Sequence, residues 1–335
     1  MQKTHDFVRF LFDSRRAPAY NIARERLSTF IQVLIVVALA VPGFVLRKTK
    51  LLPENTAGIF AALLLYVAQP FLMMSSILGN EFRKEMLAEF GWVALFAIVT
   101  QLAVYFAAKL IFCKTKEEAS KRACVAASYL GNVGFMGIPV MEMLFPGNGD
   151  LVLYTVVYNI VFNAMCWTLG VFAITGERKS VRPIKILLNP PTIAVIVALP
   201  FFFCNVDIPE QVMTPIGYLG DMTLPLSMII LGIRLADMAP KKLVDPKIYL
   251  VAFVKLVVAP LLSLGIVMLV ALAVDIDRYV IIALFIIAAM PSASSTLTFA
   301  ELYGGDCETA AASTLMNTLL CVISIPVLMM LCEVI

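Results

Sequence analysis

The sequence is poor in the residues that build catalytic and metal sites. Its 335 residues include a single histidine, His5, in the N-terminal tail. A histidine metal site or a histidine proton relay inside a membrane is therefore not expected. The short motifs of nucleotide-binding proteins, zinc proteases and α/β-hydrolases do not occur either. We therefore expect no enzyme, no bound metal and no nucleic-acid partner.

Cysteine is scattered along the chain rather than paired. The seven cysteines form no CxxC pair, and most of them lie in or at the ends of apolar runs. We interpret them as small buried apolar residues rather than as disulfides or metal ligands. They are Cys113, Cys124, Cys166, Cys204, Cys307, Cys321 and Cys332.

Charge is scarce and apolar residues are abundant. Charged residues make up 15% of the chain and hydrophobic residues 61%, whereas soluble domains have about 25% and about 45–50%. A globule of this length cannot bury so much apolar surface in one core. The composition therefore predicts an all-α polytopic protein in a lipid bilayer.

Ten apolar segments are long enough to cross a bilayer as helices. The connectors between them are short and polar, so no soluble domain separates them. We divide the chain into a basic amphipathic extension at 1–27, a first five-helix repeat at 28–176, a short cytoplasmic connector at 177–186 and a second repeat at 187–335. The segments run at 28–46, 57–79, 88–112, 120–145, 150–175, 187–204, 211–233, 248–274, 278–303 and 309–333.

Basic residues alternate between the two sides of the predicted bundle. The connectors after segments two, four, six and eight hold only Arg83, Lys84 and Arg278, whereas those after one, three, five and seven are rich in Lys and Arg. The positive-inside rule therefore places the connectors after segments one, three, five and seven in the cytoplasm, with the protein in a plasma or inner membrane. The basic tail at 1–27 argues against this orientation. Four explanations stay open. The tail is translocated against the rule, lies along the membrane as an amphipathic helix or forms a disordered extension, or else one membrane segment has been miscounted.

The two halves of the chain share a pattern. The second segment of each half carries a proline in the middle of an apolar helix, Pro70 in one and Pro225 in the other. The fifth segments carry asparagines, Asn159 and Asn163 in one half and Asn317 in the other. Because five is an odd number, the halves must have opposite orientations. This predicts two inverted repeats, as in many secondary transporters.

The fourth and ninth segments cannot form continuous helices. The fourth reads GNVGFMGIP at 131–139, and the ninth reads MPSASST at 290–296. Interior glycine and proline cost a helix about 1 and about 3 kcal/mol relative to alanine. Both interruptions fall near the middle of their segments, around Gly134 and Pro291. Irregular backbone at that depth is tolerated only if it is buried in protein or lines a wet cavity.

Two broken helices that cross at the midplane predict an anion site. Each break creates a half-helix N-terminus with free N–H groups and about half a positive charge. Two such termini facing one cavity attract a carboxylate, and donors beside the breaks orient it. The predicted substrate site comprises Asn132, Gly134, Pro139, Asn163, Pro291, Ser292, Ser294, Ser295, Thr296 and Asn317, with Gly131, Gly137, Pro70 and Pro225 as helix-break or kink residues.

Few ionisable residues fall within the segments. Glu142, Glu301 and Asp221 are the ion-coupling candidates, although interfacial anchoring explains the two glutamates equally well. Lys109 is close enough to a membrane face for its ammonium group to reach water. Lys255 is the remaining ionisable residue within the segments. A sodium site could instead use free carbonyls at the breaks. The sequence does not choose among proton coupling, sodium coupling and uniport, and it implies no cofactor.

At the interrupted segments the sequence resembles the auxin efflux carrier family. The resemblance covers about residues 30–333, and its combined motifs are more specific than any single one. The matching residues are GNVGFMGIP at 131–139, GFVLRK at 43–48, Pro225 with Gly232, and FAELY at 299–303.

This resemblance implies a fold and a site. It implies ten helices in two inverted five-helix repeats, with segments one, two, six and seven forming a scaffold for a moving transport domain. It also implies that helices crossing at Pro139 and Pro291 bound the substrate site, with Asn132 as a substrate contact. The connector at 175–185 is much shorter than in the plant members, so regulation by a long cytosolic loop is not expected.

We therefore predict a secondary transporter that moves a small organic anion, such as a carboxylate, by alternating access. Its expected partners are this substrate and the lipid bilayer, with a homodimer left open. Two alternatives stay open at this stage. A carrier like the bile-acid/sodium symporters would show sodium-dependent uptake. A membrane-embedded anion sensor would bind the same ligands without flux into proteoliposomes.

Overall fold

The described chain is helical. The computed structural model describes residues 31–181, 184–238 and 244–332, and within these ranges no strand forms beyond one isolated bridge. The predicted extension at 1–27 lies outside the described residues. The main helices are α1 Ile31–Lys48, α2 Thr56–Leu78, α3 Met86–Lys114, α4 Glu118–Tyr129, α5 Val133–Leu144, α6 Gly149–Thr175, α7 Pro190–Phe203, α8 Glu210–Asp237, α9 Pro246–Ala271, α10 Arg278–Ala289, α11 Ser295–Tyr303 and α12 Cys307–Leu331.

Apolar helices of membrane-spanning length dominate the described ranges. Seven of them are long and apolar enough to cross a membrane: α1, α2, α3, α6, α8, α9 and α12. They coincide with predicted segments one, two, three, five, seven, eight and ten, so the chain is a polytopic membrane protein. Segment six is the shorter α7. Segments four and nine are each divided into two helices, α4 with α5 and α10 with α11.

Short π-helical turns widen several of these helices. Pro70, Pro139 and Pro260 each lie two residues after the end of such a turn. A proline has no N–H and its ring displaces the carbonyl one turn earlier, so a wider turn accommodates it without ending the helix. Pro225 is different, because it follows a kink at Met222 inside α8. The π turns are Leu64–Ala68, Val133–Gly137, Cys166–Gly170 and Val254–Val258.

The helices pack in two groups. In the first, α1 packs along α8, and α2 packs against α7 and α8. In the second, α3, α4, α6, α9, α10 and α12 pack against one another. The start of α5 contacts both groups, since it packs on α6 and on α8. The interrupted region therefore lies where the two groups meet.

Two glycines allow α1 and α8 to approach each other closely. A Cβ at Gly43 would lie 2.1 Å from Ile229 O, and one at Gly232 would lie 1.9 Å from Ala40 O. Both neighbours are backbone atoms, so neither can move aside without shifting a helix. Small residues at such contacts are the usual basis of tight packing between membrane helices.

Two cysteines are exposed, although the sequence predicted that the cysteines are buried. Cys124, Cys166 and Cys321 are buried as expected, but Cys113 and Cys204 are exposed. Cys113 is in the last turn of α3, and Cys204 directly follows α7. Residues at helix ends are less covered by neighbouring helices, which explains why an apolar context did not imply burial there.

Gly232→Ala should lower stability, because the added methyl group collides with the backbone of α1. Overpacking of this kind typically costs about 1–3 kcal/mol. Gly217→Ala in the same helix is the matched control, since no atom lies within 4 Å of its Cβ position. Thermal unfolding of the purified proteins in detergent checks the pair. Equal melting temperatures for the two variants would contradict the close approach of α1 and α8.

Candidate functional site

The two interrupted helices contact each other through their backbones. The Asn132 N–H donates to Pro291 O at 2.7 Å, and the Ala293 N–H donates to Leu130 O at 2.9 Å. These bonds form an antiparallel bridge between Gly131 and Ser292. Unpaired backbone groups in a membrane interior cost several kcal/mol each. The crossing satisfies groups that each break alone would leave without a partner.

Local sequence explains where the helices break. In the second crossing segment, Met290 takes an extended conformation with φ −60° and ψ 142°, because the residue before a proline is disfavoured in the helical region. In the first, Leu130 is also extended, with φ −73° and ψ 108°. The break therefore lies a few residues before Gly134, the middle that the sequence suggested. Pro139 lies inside α5 rather than at the crossing.

Buried side chains hold the crossing in place. The Ser292 hydroxyl donates to Ala127 O in α4, and the Asn317 amide of α12 donates to Ser292 Oγ. Both side chains are fully buried, as is Thr296. Ser292 and Asn317 therefore connect α4, the break and α12.

A cavity of about 550 Å³ lies on one side of the crossing. Its wall is formed by α2, α6 and α8, by the residues before α7, and by the first turns of α5 and α11. Most of the wall is apolar, which is typical of small-molecule sites. Its amide, hydroxyl and guanidinium groups come from Tyr66, Gln69, Asn132, Asn159, Asn163, Asn189, Ser227, Arg234, Ser294, Ser295 and Thr298.

Two half-helix N-termini face this cavity. Asn132 precedes α5 and Ser294 precedes α11, and neither side chain makes a capping hydrogen bond to its own helix. Both side chains line the cavity, together with Gly134 and Ser295 from the first turns. First-turn N–H groups have no partner within their helix and carry partial positive charge. The arrangement favours an anion at this end of the cavity.

Arg234 is a candidate functional residue that sequence reasoning missed. It is the only charged residue among the described residues that line the cavity. Its Nε has no hydrogen-bond partner within the described chain, and its Nη1 lies 3.9 Å from Oε1 of the exposed Glu301. The predicted segment seven ended at residue 233. The position of this arginine, one residue beyond the predicted end of an apolar segment, was the sequence signal that could have identified it.

The amides of α2 and α6 pack against the first turn of α5. A Cβ at Gly134 would lie 2.2 Å from Gln69 Nε2 and 3.1 Å from Asn159 Oδ1. The Asn159 Oδ1 is buried without a hydrogen-bond partner in the described chain, while its Nδ2 donates to Met73 Sδ. Further along the wall, Asn189 Nδ2 lies 3.5 Å from Asn163 Oδ1. These amides give the cavity several groups able to bind a polar ligand.

The predicted site residues fall into two sets. Asn132, Gly134, Asn163, Ser294 and Ser295 line the cavity. The wall does not include Pro139, Pro291, Ser292, Thr296 or Asn317, although Ser292 borders a small adjoining cavity with Asn132 and Arg234.

The predicted ion-coupling residues are outside the cavity wall, although Glu301 lies beside Arg234. Glu142, Asp221 and Glu301 are all exposed, and none of them lines the cavity. Glu142 accepts a hydrogen bond from Ser76 Oγ at 3.3 Å. Gly131 lines the cavity at the crossing, whereas Gly137, Pro70 and Pro225 do not.

Comparison with known proteins identifies the family. The sequence profile of a membrane transport protein family, the auxin efflux carriers, matches residues 28–329. The chain belongs to this family. Family members are transporters and not enzymes, which agrees with the sequence prediction of a transporter without enzyme activity.

Three relatives align over most of the chain. An uncharacterized transporter of Methanocaldococcus jannaschii is 28% identical over 293 residues, covering 85% of this chain and 93% of the relative. A protein of Rhizobium meliloti named "Putative malonate transporter" is 22% identical, covering 82% and 86%. An uncharacterized transporter of Methanothermobacter thermautotrophicus is 24% identical, covering 88% and 95%.

Gly134→Ala should leave the protein folded but weaken ligand binding. The added methyl group collides with the end of the flexible Gln69 side chain, which can move into the cavity. The double variant Gly134→Ala/Gln69→Ala should recover part of the affinity. Gly137→Ala is the matched control, because atoms around its Cβ position are 3.6 Å away or more. Equilibrium binding of small carboxylates, the ligands that the sequence predicts, checks the set, and equal affinities for the two single variants would contradict the packing described here.

Proposed function

We propose that this membrane transporter carries small organic anions, in particular carboxylates, and binds them in the cavity beside the crossing. The observation that carries the proposal is the charge of the cavity wall. Two half-helix N-termini and Arg234 supply positive potential, and no carboxylate lies among the described lining residues. In a site of low dielectric constant such groups attract an anion more strongly than they would in water.

Asn132 is the proposed orienting group for the carboxylate. Its backbone N–H is used in the crossing, but its side-chain amide makes no capping bond and lines the cavity. Ser294 and Ser295 lie at the second half-helix N-terminus and add hydroxyl donors. One carboxylate between these groups would accept hydrogen bonds from both halves of the chain.

Arg234 is the proposed anchor for a second carboxylate. The guanidinium group binds carboxylates in a planar, two-point geometry, and the partnerless Nε leaves part of its donor set available. A dicarboxylate could then contact Arg234 at one end and the half-helix N-termini at the other. The name of the Rhizobium meliloti relative supports this substrate class.

The proposal includes a finer architecture. Ten crossings in two inverted five-helix repeats are supported by the position of the interrupted pairs, α4–α5 and α10–α11, and by their antiparallel bridge. The group of α1, α2, α7 and α8 would be the scaffold, and the other group would move against it to open the site to each side in turn. The basic connectors would face the cytoplasm, in a plasma or inner membrane.

Uptake of radiolabelled malonate into proteoliposomes tests the function. We expect uptake that saturates with malonate concentration and competition by other small carboxylates. Asn132→Ala should weaken binding about tenfold, the effect of losing a hydrogen bond to a charged group, without a matching loss of thermal stability. Asn80→Ala, in the connector after α2, is the control. Binding of carboxylates without any flux would instead support a sensor, and neither binding nor flux would refute the proposal.

Arg234→Gln should weaken malonate binding about tenfold or more and reduce the preference for malonate over acetate. The variant Glu301→Gln distinguishes substrate binding by Arg234 from a purely structural ion pair between Arg234 and Glu301. If Arg234 binds substrate, removing its acidic neighbour leaves affinity unchanged or raises it. If Arg234 serves only the ion pair, the two variants behave alike. Competition binding with both ligands provides the measurement, with Arg178→Gln, an exposed arginine, as the control.

A further inference from the structure

A basic groove lies at the end of the molecule where α3 ends and α9 begins. It has a volume of about 550 Å³, and it shares no lining residue with the cavity beside the crossing. The connectors at this end belong to the set that the distribution of Lys and Arg predicts to be cytoplasmic. The groove is therefore separate from the proposed substrate site and lies at a predicted membrane face.

The packing of α9 explains why a groove forms here. The second half of α9, Ala259–Ala271, packs on α3, whereas its first part, Pro246–Phe253, packs mainly on α4 and α12. The two helices therefore separate toward this end of the molecule. Ile111 from α3 and Leu250 from α9 line the space that is left between them.

Three lysines give the groove a positive charge. Lys114 ends α3, Lys116 is in the connector that follows, and Lys247 is in the first turn of α9; all three line the groove. Their side chains are exposed, and none of them makes an ion pair within the described chain. Glu117 is the one carboxylate among the described lining residues. The positive charge is therefore only partly neutralised, which favours an anionic ligand.

Apolar side chains continue the groove along the membrane-spanning part of both helices. Ile111 and Leu250 are 38% and 40% exposed. Phe253, three residues after Leu250 and on the same face of α9, is 55% exposed, and Leu110 of α3 is 74% exposed. Lysines at a helix end beside exposed apolar surface match a ligand that has a negative head and apolar chains. A soluble anion would contact only the lysines.

We propose that this groove binds one anionic phospholipid, with the phosphate group between the three lysines and the acyl chains against α3 and α9. Basic pockets between membrane helices bind anionic headgroups in other proteins. The bound lipid fills the space between the end of α3 and the start of α9, so it stabilises the second group of helices. The inference does not depend on the proposed function, because the groove and the substrate cavity have no lining residue in common.

Lipid binding by the purified protein in detergent tests the site. Native mass spectrometry should show one phosphatidylglycerol bound to the wild type at concentrations at which phosphatidylcholine, which has no net charge, is not retained. The triple variant Lys114→Gln/Lys116→Gln/Lys247→Gln should bind phosphatidylglycerol about a hundredfold more weakly, because three lysine contacts are lost.

A second triple variant is the matched control. Lys50→Gln/Arg178→Gln/Lys179→Gln removes the same number of positive charges from exposed positions in the connectors predicted to lie at the same membrane face, and none of these residues lines the groove. It should bind phosphatidylglycerol like the wild type. All six substituted side chains are exposed, so both triple variants should have the melting temperature of the wild type when no lipid is added.

Thermal unfolding separates a lipid from a soluble phosphate. Phosphatidylglycerol should raise the melting temperature of the wild type and of the control variant, but not that of the groove variant, because a ligand of the folded state stabilises it. Glycerol 3-phosphate has the phosphate group without the acyl chains. At equal concentration and ionic strength it should leave all three melting temperatures unchanged.

The possible outcomes are distinct. Equal retention of the two lipids by the wild type, or equal loss of phosphatidylglycerol from the two triple variants, would overturn the proposal. A rise in melting temperature with glycerol 3-phosphate as large as that with the lipid would also overturn it, in favour of a soluble anion. Malonate binding should be the same in the groove variant and the wild type, so the lipid site and the proposed function can each fail without the other.

Discussion

The backbone pairing between the two interrupted helices is the constraint on which the rest of the structure depends. Asn132 and Ala293 donate across the crossing to Pro291 and Leu130. Without these bonds, each break would leave polar backbone groups without partners inside the helical bundle. The pairing makes the breaks stable, and it brings the first turns of α5 and α11 to the wall of one cavity.

Charge is distributed around the crossing in a consistent way. On the cavity side, helix N-termini and Arg234 present positive potential to a ligand. On the other side, the end of α10 presents a carbonyl, and Lys255 meets it. The acidic residues Glu142, Asp221 and Glu301 are exposed and outside the cavity wall. A carboxylate bound in the cavity would therefore meet hydrogen-bond donors and the guanidinium group of Arg234, with no acid among the described lining residues.

The sequence predicted the breaks well and the charges poorly. Glycine and proline act on local backbone geometry, so the motifs at 131–139 and 290–296 revealed both interruptions. Pro139 was assigned to the crossing, but a π turn allows it to remain inside α5. The positions of Arg234 and Lys255 depend on how helices distant in sequence pack, which periodicity does not reveal. Intramembrane charge was a valid signal for Lys255, but no local pattern linked it to the crossing.

Locating a bound anion tests the central claim most directly. A structure of the protein with a bromine-labelled dicarboxylate would place the ligand by the anomalous signal of bromine. We predict one carboxylate between the Asn132 amide and the first turn of α11, and the other at the Arg234 guanidinium group. A ligand bound at saturation elsewhere in the molecule, with this cavity occupied only by lipid or detergent, would contradict the claim.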